Sequence, residues 1–362
     1  MRYNKKIIIA TGGTGGHVFP AYSLAQHFKK KDYDINIVTD NRGYKILKNY
    51  KNIKINIINS KTLNNKNLLN ALISIFQIFI AIIFSLILLI KVRPRLIFGM
   101  GGYSSFPICV AAKIFKIPFI VYENNLHIGK ANKYLLPWAK KMFVSHKELE
   151  GVNEKYNSKI VEIGNIVRDE ILQYKPQAKN KNQDLLNIIV IGGSQAAKIF
   201  AEVLPGIFQK CKKENIKVKV YQQCLASQRE KLQEDYHNLN IECEIFNFNI
   251  NLLNYFDKID LAITRSGSSM LAELLNCCVP FISVPFVFSA DNHQLKNAKF
   301  YKKKGYGFLI KENEINEKLF PLIKSIHRDR NLLNLIKQKQ KTHTDKFVFK
   351  KIDNEIKEFF YE

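Results

Sequence analysis

A histidine stands at the mouth of a glycine-rich turn in "IIIATGGTGGHVFP", residues 7–20. Gly12, Gly13, Gly15 and Gly16 follow a run of β-branched residues and lead to His17 and Pro20. Glycines after a strand let the backbone approach an anion, and a helix starting there presents N–H groups without intrahelical acceptors. Imidazole is a poor packing group in such a place. The positive helix end favours its neutral form, which can take a proton as a general base. A histidine simply hydrogen-bonded within the turn is the plainer alternative.

The spacing excludes two common uses of glycine turns. A nicotinamide-cofactor fingerprint needs G-x-G-x-x-G, but after Gly13 and Gly15 the third position is Val18. A second turn, "IIVIGGSQAAKIF", fails earlier, with Gln195 where the second glycine belongs. Neither turn is followed by Gly-Lys-Ser/Thr, so a P-loop is excluded too.

Two further clusters could hold a ligand. In "TRSGSSMLAELL" the small residues Gly267, Ser268 and Ser269 lead into a helix pattern and suit a phosphate at its N-terminus. Glu273, one turn further in, could reach a ribose diol; an ordinary capped helix is the alternative. In "SADNHQLKNA" four hydrogen-bonding residues, Asp291, Asn292, His293 and Gln294, follow a strand pattern and suit a sugar, although polar loops are common. The six cysteines, at 109, 211, 224, 243, 277 and 278, form no CxxC pair and have no companion histidine spacing, which reads as reduced thiols and no zinc site.

The elements that must carry these residues alternate between strand and helix. "KKIIIAT", "INIVTD", "RLIFGM" and "PFIVYE" are buried-strand candidates in the first half, and "LLNIIVIGG", "KVKVYQQC", "IECEIFNF", "DLAITRSG" and "PFISVPF" in the second. After the first strand, Ala21, Leu24, Ala25 and Phe28 fall on one helical face. Such alternation predicts parallel sheets covered on both faces. The strand–glycine–helix pattern recurs after about 180 residues, a domain-sized interval, with the polar stretch "LQYKPQAKNKNQD" between. The expected division is an N-terminal domain over 1–167, a C-terminal domain over 168–344 and a terminal amphipathic helix over 345–362 that packs back toward the first. Ligands in doubly wound sheets bind beyond the carboxyl ends of the strands, where the glycine turns stand.

One segment disturbs this pattern. "ALISIFQIFIAIIFSLILLI", residues 71–90, is broken only by Ser74, Gln77 and Ser85. As a helix it is roughly 30 Å long, the thickness of a hydrocarbon core. A span would place "GGTGGH" and "GMGGY", parts of one alternating unit, on opposite sides of a membrane. The expectation is therefore a helix packed on the sheet with its outer face dipping into a bilayer interface, flanked by Lys61, Lys66, Lys91, Arg93 and Arg95. A wholly buried core helix is the alternative. The net charge of +25, from 56 Lys+Arg against 31 Asp+Glu, favours an anionic partner such as nucleic acid or an acidic membrane. No dense basic block stands out, and a general drift toward Lys, Asn and Ile is the bland source of part of that excess.

Six stretches in order, "GGTGGHVFPA", "GMGGYSSFP", "IGNIVR", "IGGSQAA", "TRSGSSMLAEL" and "VPFVFSADNHQLKNA", run from residue 12 to 298. Together they resemble glycosyltransferase family 28, in the branch of the N-acetylglucosaminyltransferases that act on lipid I in peptidoglycan synthesis. The resemblance implies an α/β GT-B fold, two Rossmann-like doubly wound parallel-sheet domains facing across a cleft. It implies an inverting transfer of N-acetylglucosamine from UDP-N-acetylglucosamine to the C4 hydroxyl of the muramoyl sugar of lipid I, giving lipid II and UDP. It implies no cofactor and no catalytic metal. The partners it implies are the two substrates and an anionic membrane surface, with no nucleic acid, for a peripheral enzyme on the cytoplasmic face of the inner membrane.

Carried over by motif, His17 is the candidate base; His127, close to Asn125 in sequence, is a lesser candidate. Thr14, Gly15 and Gly16 line the donor diphosphate and acceptor side. Asn125 contacts a sugar, Arg168 the nucleotide and Ser194 the donor. Ser268, Ser269 and Met270 offer backbone groups to the nucleotide, Glu273 holds the ribose and Gln294 the N-acetylglucosamine hydroxyls. Three positions depart from the family pattern: Ala196 replaces a usual glycine, Asn124 a usual glutamine, and Asn249 stands where an apolar residue is used against uracil. Two other readings remain at this stage, a UDP-sugar transferase with another lipid acceptor and a non-catalytic nucleotide-sugar-binding protein of the membrane surface.

Overall fold

A computed structural model describes residues 5–48, 50, 53–60, 68–176, 184–193, 197–247 and 251–360. The chain divides into two compact units, residues 1–168 with 345–362, and residues 169–344.

The first unit holds a seven-stranded sheet of β1 (Lys6–Ala10), β2 (Asp34–Thr39), β3 (Lys54–Ile57), β4 (Leu96–Gly99), β5 (Phe119–Glu123), β6 (Lys141–Val144) and β7 (Ile160–Glu162). Its order is β3-β2-β1-β4-β5-β6-β7, and every pair is parallel. The chain leaves β1 toward β2 and returns later to β4, so β1 and β4 form the topological switch point. The Ile7–Ala10 run is fully buried, because helices cover both faces of a parallel sheet. On one face Ile8, Ala10, Ile97 and Val121 meet the helices Leu68–Val92 and Phe106–Ile114. On the other, Phe98 packs against Phe28 of the Gly15–Lys29 helix. Ala21, Leu24, Ala25 and Phe28 of that helix are all buried, as their spacing predicts.

The returning C-terminal helix, Val348–Ile356, also belongs to this unit. Asp345 accepts from the Asn165 backbone at 2.8 Å and from its side-chain amide at 3.1 Å. His27 stacks on Phe349 with ring centroids 4.5 Å apart and meets Asp353 at 2.8 Å. Gly164 has φ +100, and a Cβ there would come within 2.6 Å of the Asp345 carboxylate, so both backbone angle and space demand glycine.

The Leu68–Val92 helix is the crossover from β3 to β4. It is long and apolar enough to cross a membrane by length and composition. Its two flanking strands nevertheless lie in one parallel sheet, which excludes a bilayer span between them. One face, Ser74, Ala81, Ser85 and Leu89, is buried, and the helix packs on Phe106–Ile114. Both serines satisfy their hydroxyls within the helix, Ser74 on the Asn70 carbonyl and Ser85 on the Ala81 carbonyl. The opposite face exposes Phe76, Phe79, Phe84, Ile87 and Ile90, so the fully buried reading is also wrong. Of the flanking cations, Lys61 and Lys66 lie outside the described residues.

The second unit holds β8 (Leu185–Ile191), β9 (Lys217–Gln223), β10 (Glu242–Phe246), β11 (Leu261–Thr264), β12 (Phe281–Ser283) and β13 (Phe308–Leu309), in parallel order β10-β9-β8-β11-β12-β13. Here the switch point lies between β8 and β11. Its core joins Ile188, Val190, Leu261 and Ile263 to Phe200, Leu204 and Phe208 of the Lys198–Lys213 helix. All six cysteines are free; burial pushes the thiol of Cys211 up to about 12, which keeps it unreactive.

Candidate active site

Each sheet opens its switch point onto a glycine turn, and the two turns are built differently. In the first unit Thr14 caps the Gly15–Lys29 helix from an extended conformation, and its carbonyl accepts from the His17 and Val18 backbones at 3.2 and 3.3 Å. His17 thus sits in the first helical turn. Its ring lies over the loop after β4. A Cβ on Gly101 would approach its Cε1 and Nδ1 to 2.9 Å, and one on Gly102 its Cδ2 to 3.5 Å. Both glycines have positive φ, +85 and +74. "GMGGY" therefore uses glycine to turn the chain and to admit an imidazole against the backbone.

Asp40, directly after β2, fastens the first turn. It accepts from the Gly13 N–H at 3.0 Å and the Gly43 N–H at 2.8 Å, and pairs with Arg42 at 2.9 Å. Burial opposes its charge, but the Gly43 and Gly13 amides and Arg42 outweigh that and hold its carboxyl below the ordinary value. A second tie comes from Pro20. Proline has no N–H, so the Gly16 carbonyl loses the donor four residues on. Asn124 Nδ2 supplies one instead, at 2.8 Å.

Asn125 is fixed beside it. Its backbone and side-chain N–H groups donate to Glu123 Oε1 at 3.1 and 2.9 Å. The other Glu123 oxygen accepts from Gly129 at 2.8 Å and Asn132 at 3.0 Å. Thr14, Gly15, Gly16, His17 and Asn125 are thereby gathered at one switch point. His127 is directed elsewhere: a Cβ on Gly151 would come within 2.6 Å of its Cε1. Arg168, the last residue of the first unit, lies over the Phe19 ring at 5.9 Å.

In the second unit Gln223, the last residue of β9, grips the turn after β8. Its Oε1 accepts from the Gly192 N–H at 3.0 Å, and its Nε2 donates to the Gly193 carbonyl at 2.9 Å. Beyond β11, Gly267 caps the Ser268–Asn276 helix without a side-chain acceptor, and no acidic residue lies in the first turn. Ser268, Ser269 and Met270 form that turn, and Glu273 is buried one turn on. Leu271, Leu274 and Leu275 anchor the helix in the core.

Gln294 spans the gap to the next loop. Its Oε1 accepts from the backbones of Ser266 at 3.3 Å and Phe286 at 2.9 Å. Both partners are donors, so the oxygen is engaged by the protein and the –NH2 end is the donor side of the group. Of its sequence neighbours, Asp291 and Asn292 make a left-handed bend with φ 48 and 53, and His293 Nδ1 meets the Ala290 carbonyl at 2.6 Å. The predicted hydrogen-bonding cluster is thus a left-handed bend followed by an amide fixed at its oxygen. Ser268, Ser269, Met270, Glu273 and Gln294 share this second switch point; Ser194 and Asn249 lie outside the described residues. No group of three His, Cys, Asp or Glu side chains among the described residues could hold a metal ion. Asp40, Asn124 and Gln223 are the positioning groups that motif reading did not assign. Their signal was a polar residue at the end of a strand adjoining a glycine strand, or just before Asn125.

Two Rossmann-like parallel-sheet units with glycine turns at both switch points define a GT-B α/β protein. Residues 7–144 match the glycosyltransferase family 28 N-terminal domain and residues 187–356 the glycosyltransferase family 28 C-terminal domain. A protein of Pelagibacter ubique named UDP-N-acetylglucosamine--N-acetylmuramyl-(pentapeptide) pyrophosphoryl-undecaprenol N-acetylglucosamine transferase is 35% identical, over 99% of this chain and 95% of its own. A Rickettsia felis protein of the same name is 33% identical over 94% and 97%. The crystal structure of Acinetobacter baumannii MurG superposes with a TM-score of 0.78 at 24% identity, covering 98% of this chain and 99% of that one. The chain belongs to glycosyltransferase family 28.

Proposed function

We propose that the chain transfers N-acetylglucosamine from UDP-N-acetylglucosamine to the C4 hydroxyl of the muramoyl sugar of lipid I, giving lipid II and UDP. The relatives that match it end to end carry the name of that transferase. The observation in the molecule that carries the reading is the seating of His17 over Gly101 and Gly102 at a switch point, where ligands of such sheets bind.

His17 takes the proton of the attacking hydroxyl as its oxygen bonds to the anomeric carbon. The bond from that carbon to the diphosphate oxygen breaks from the opposite face, so configuration inverts and UDP leaves with the electron pair. Thr14, Gly15 and Gly16 line the reacting groups and Asn125 contacts a sugar. Ser268, Ser269 and Met270 bind the nucleotide through backbone groups, with Glu273 on the ribose and Arg168, Ser194 and Asn249 as further donor contacts. Gln294, with only its –NH2 to offer, donates to sugar hydroxyl oxygens. Backbone N–H groups and the helix terminus stabilise the charge on the leaving diphosphate. The first unit takes the acceptor and the second the donor.

The exposed face of the Leu68–Val92 helix, with Lys91 in its last turn and the exposed Arg93 just beyond, suits a bilayer interface with anionic headgroups, whereas Arg95 donates to the Phe359 carbonyl. The enzyme then works as a peripheral protein on the membrane face that carries lipid I. Incubation with lipid I membranes and UDP-N-acetylglucosamine is expected to release UDP and form lipid II. Absence of UDP release at saturating lipid I contradicts the reading.

A further inference from the structure

The excess of cations is not spread evenly along the chain. Residues 292–311 contain six lysines and no Asp or Glu, and residues 330–344 contain Arg330 and three lysines, again with no Asp or Glu. The chain as a whole has 31 Asp+Glu for 56 Lys+Arg, so a uniform drift toward lysine would leave several carboxylates in these stretches. Lysines elsewhere in the second unit do find partners, Lys318 on Glu314 at 3.1 Å and Lys324 on Glu214 at 2.9 Å.

The fold brings the two acid-free stretches together. The first holds the helix His293–Lys303 and the turn after it, and the second the helix Asn331–Lys341. Gln340, fully buried, donates to the Tyr306 carbonyl at 2.8 Å and to the Val279 carbonyl at 2.9 Å. A Cβ on Gly305 would lie 3.5 Å from Lys339 Cγ, and the Tyr306 and His343 ring centroids are 6.0 Å apart. The two helices therefore end at one corner of the unit. Lys302 and Lys303 stand in the last turn of one and Lys339 and Lys341 in the last turn of the other, with Lys304 as a cap. The four last-turn lysines are exposed, and none forms an ion pair among the described residues. The negative end of each helix dipole offsets only about half an elementary charge, against five ammonium groups.

What the corner lacks indicates which anion it fits. Its cations are lysines, compact charges on flexible stems, without the guanidinium forks that grip a single phosphate. No aromatic side chain on which a base could stack is exposed on either helix. A leaflet of many headgroups needs neither feature, since each lysine is drawn to its averaged negative potential.

We propose that this lysine corner of the second unit binds the anionic headgroups of a bilayer, a contact distinct from the apolar helix of the first unit. The proposal goes beyond the transfer reaction and does not depend on it. The two contacts differ in physics: the apolar face buries hydrocarbon and tolerates salt, whereas the lysine corner needs headgroup charge and weakens as salt is raised.

Sedimentation of the full chain with vesicles of phosphatidylcholine, and with vesicles of phosphatidylcholine and phosphatidylglycerol in equal parts, tests it. Lys302→Gln, Lys303→Gln, Lys339→Gln and Lys341→Gln combined are expected to weaken binding to the phosphatidylglycerol vesicles at least tenfold at low salt. Binding to pure phosphatidylcholine is expected to stay within about twofold. Unchanged binding to the anionic vesicles overturns the proposal, and so does an equal loss on both kinds. Amine labelling of the wild-type chain, read by mass spectrometry, covers the case in which the variant does not fold. The four lysines are expected to be protected on the anionic vesicles and not on the neutral ones; equal labelling on both overturns the proposal. A DNA duplex that displaces the wild-type chain from the anionic vesicles at equal phosphate concentration overturns the lipid assignment in favour of nucleic acid. No sugar transfer enters these assays, so their failure and that of the transferase reading are told apart.

Discussion

The turn after β1 and the turn after β8 begin from almost the same residues, a β-branched strand running into paired glycines, and end in different chemistry. In the first, two of the four glycines make room for protein. Gly12 and Gly15 admit the side chains of Ser104 and Phe19, and Gly101 and Gly102 admit the ring of His17. A carboxylate fastens that turn, and the product is a placed imidazole. In the second, an amide fastens the turn and Gly193 borders open space among the described residues. The lesson is that a glycine turn at a switch point is not by itself an anion site. What its neighbouring strand supplies, a carboxylate paired with Arg42 in one case and an amide in the other, sets how the turn is held.

Breaking the first turn is expected to have the larger effects. Among variants that keep His17, Gly101→Val is the most severe, since it combines a left-handed φ of +85 with a Cβ against the imidazole. It is expected to cut turnover by about 100-fold, the size of a lost general base, with UDP affinity retained. Steady-state kinetics beside calorimetry checks the split, and a proportional loss of UDP binding would merge the two turns into one function. Asn124→Leu removes the donor that replaces the missing Pro20 N–H. Its expected cost is about 1 kcal/mol for a half-buried carbonyl that loses this donor, read by chemical unfolding.

Asp40→Asn sharpens the comparison through pH. The folded-state carboxyl titrates below its ordinary value, so Asp40 stabilises the fold above about pH 4 and that contribution is lost as pH falls through the folded value. The variant is therefore expected to be less stable than wild type at neutral pH, by about 1–3 kcal/mol, and to converge with it in acid. A gap that stays constant across that range contradicts the charge assigned to this fastener. Smallest in catalytic terms is Phe76→Lys with Phe84→Lys on the exposed helix face. It is expected to shift the protein from the vesicle pellet to the supernatant while kcat on a detergent-dispersed acceptor stays within about twofold of wild type, the change being confined to a surface apart from the turns.

Much of this arrangement was legible in the sequence because it rests on buried runs and glycines. All nine strand patterns correspond to strands. Four strands escaped: β3 is an edge strand with no buried residue, β7 and β13 span three and two residues, and β6 is four residues in a lysine-flanked stretch without alternation. The glycine turns after β1 and β8 were legible because each follows the carboxyl end of a strand at a switch point. Asp40 and Gln223 were not, since their role depends on which strands are neighbours, and strand order is a long-range property. The bend at 291–292 and the fixing of the Gln294 oxygen were hidden for the same reason, because they become apparent only with Ser266 and Phe286 beside them.

The central claim, that one turn moves a proton and the other holds the donor, is tested most directly by His17→Ala measured for both at once. The account predicts that UDP affinity stays within about twofold of wild type while lipid II formation falls at least about 100-fold. Undiminished lipid II formation, or a loss of UDP binding that matches the loss of turnover, would contradict it.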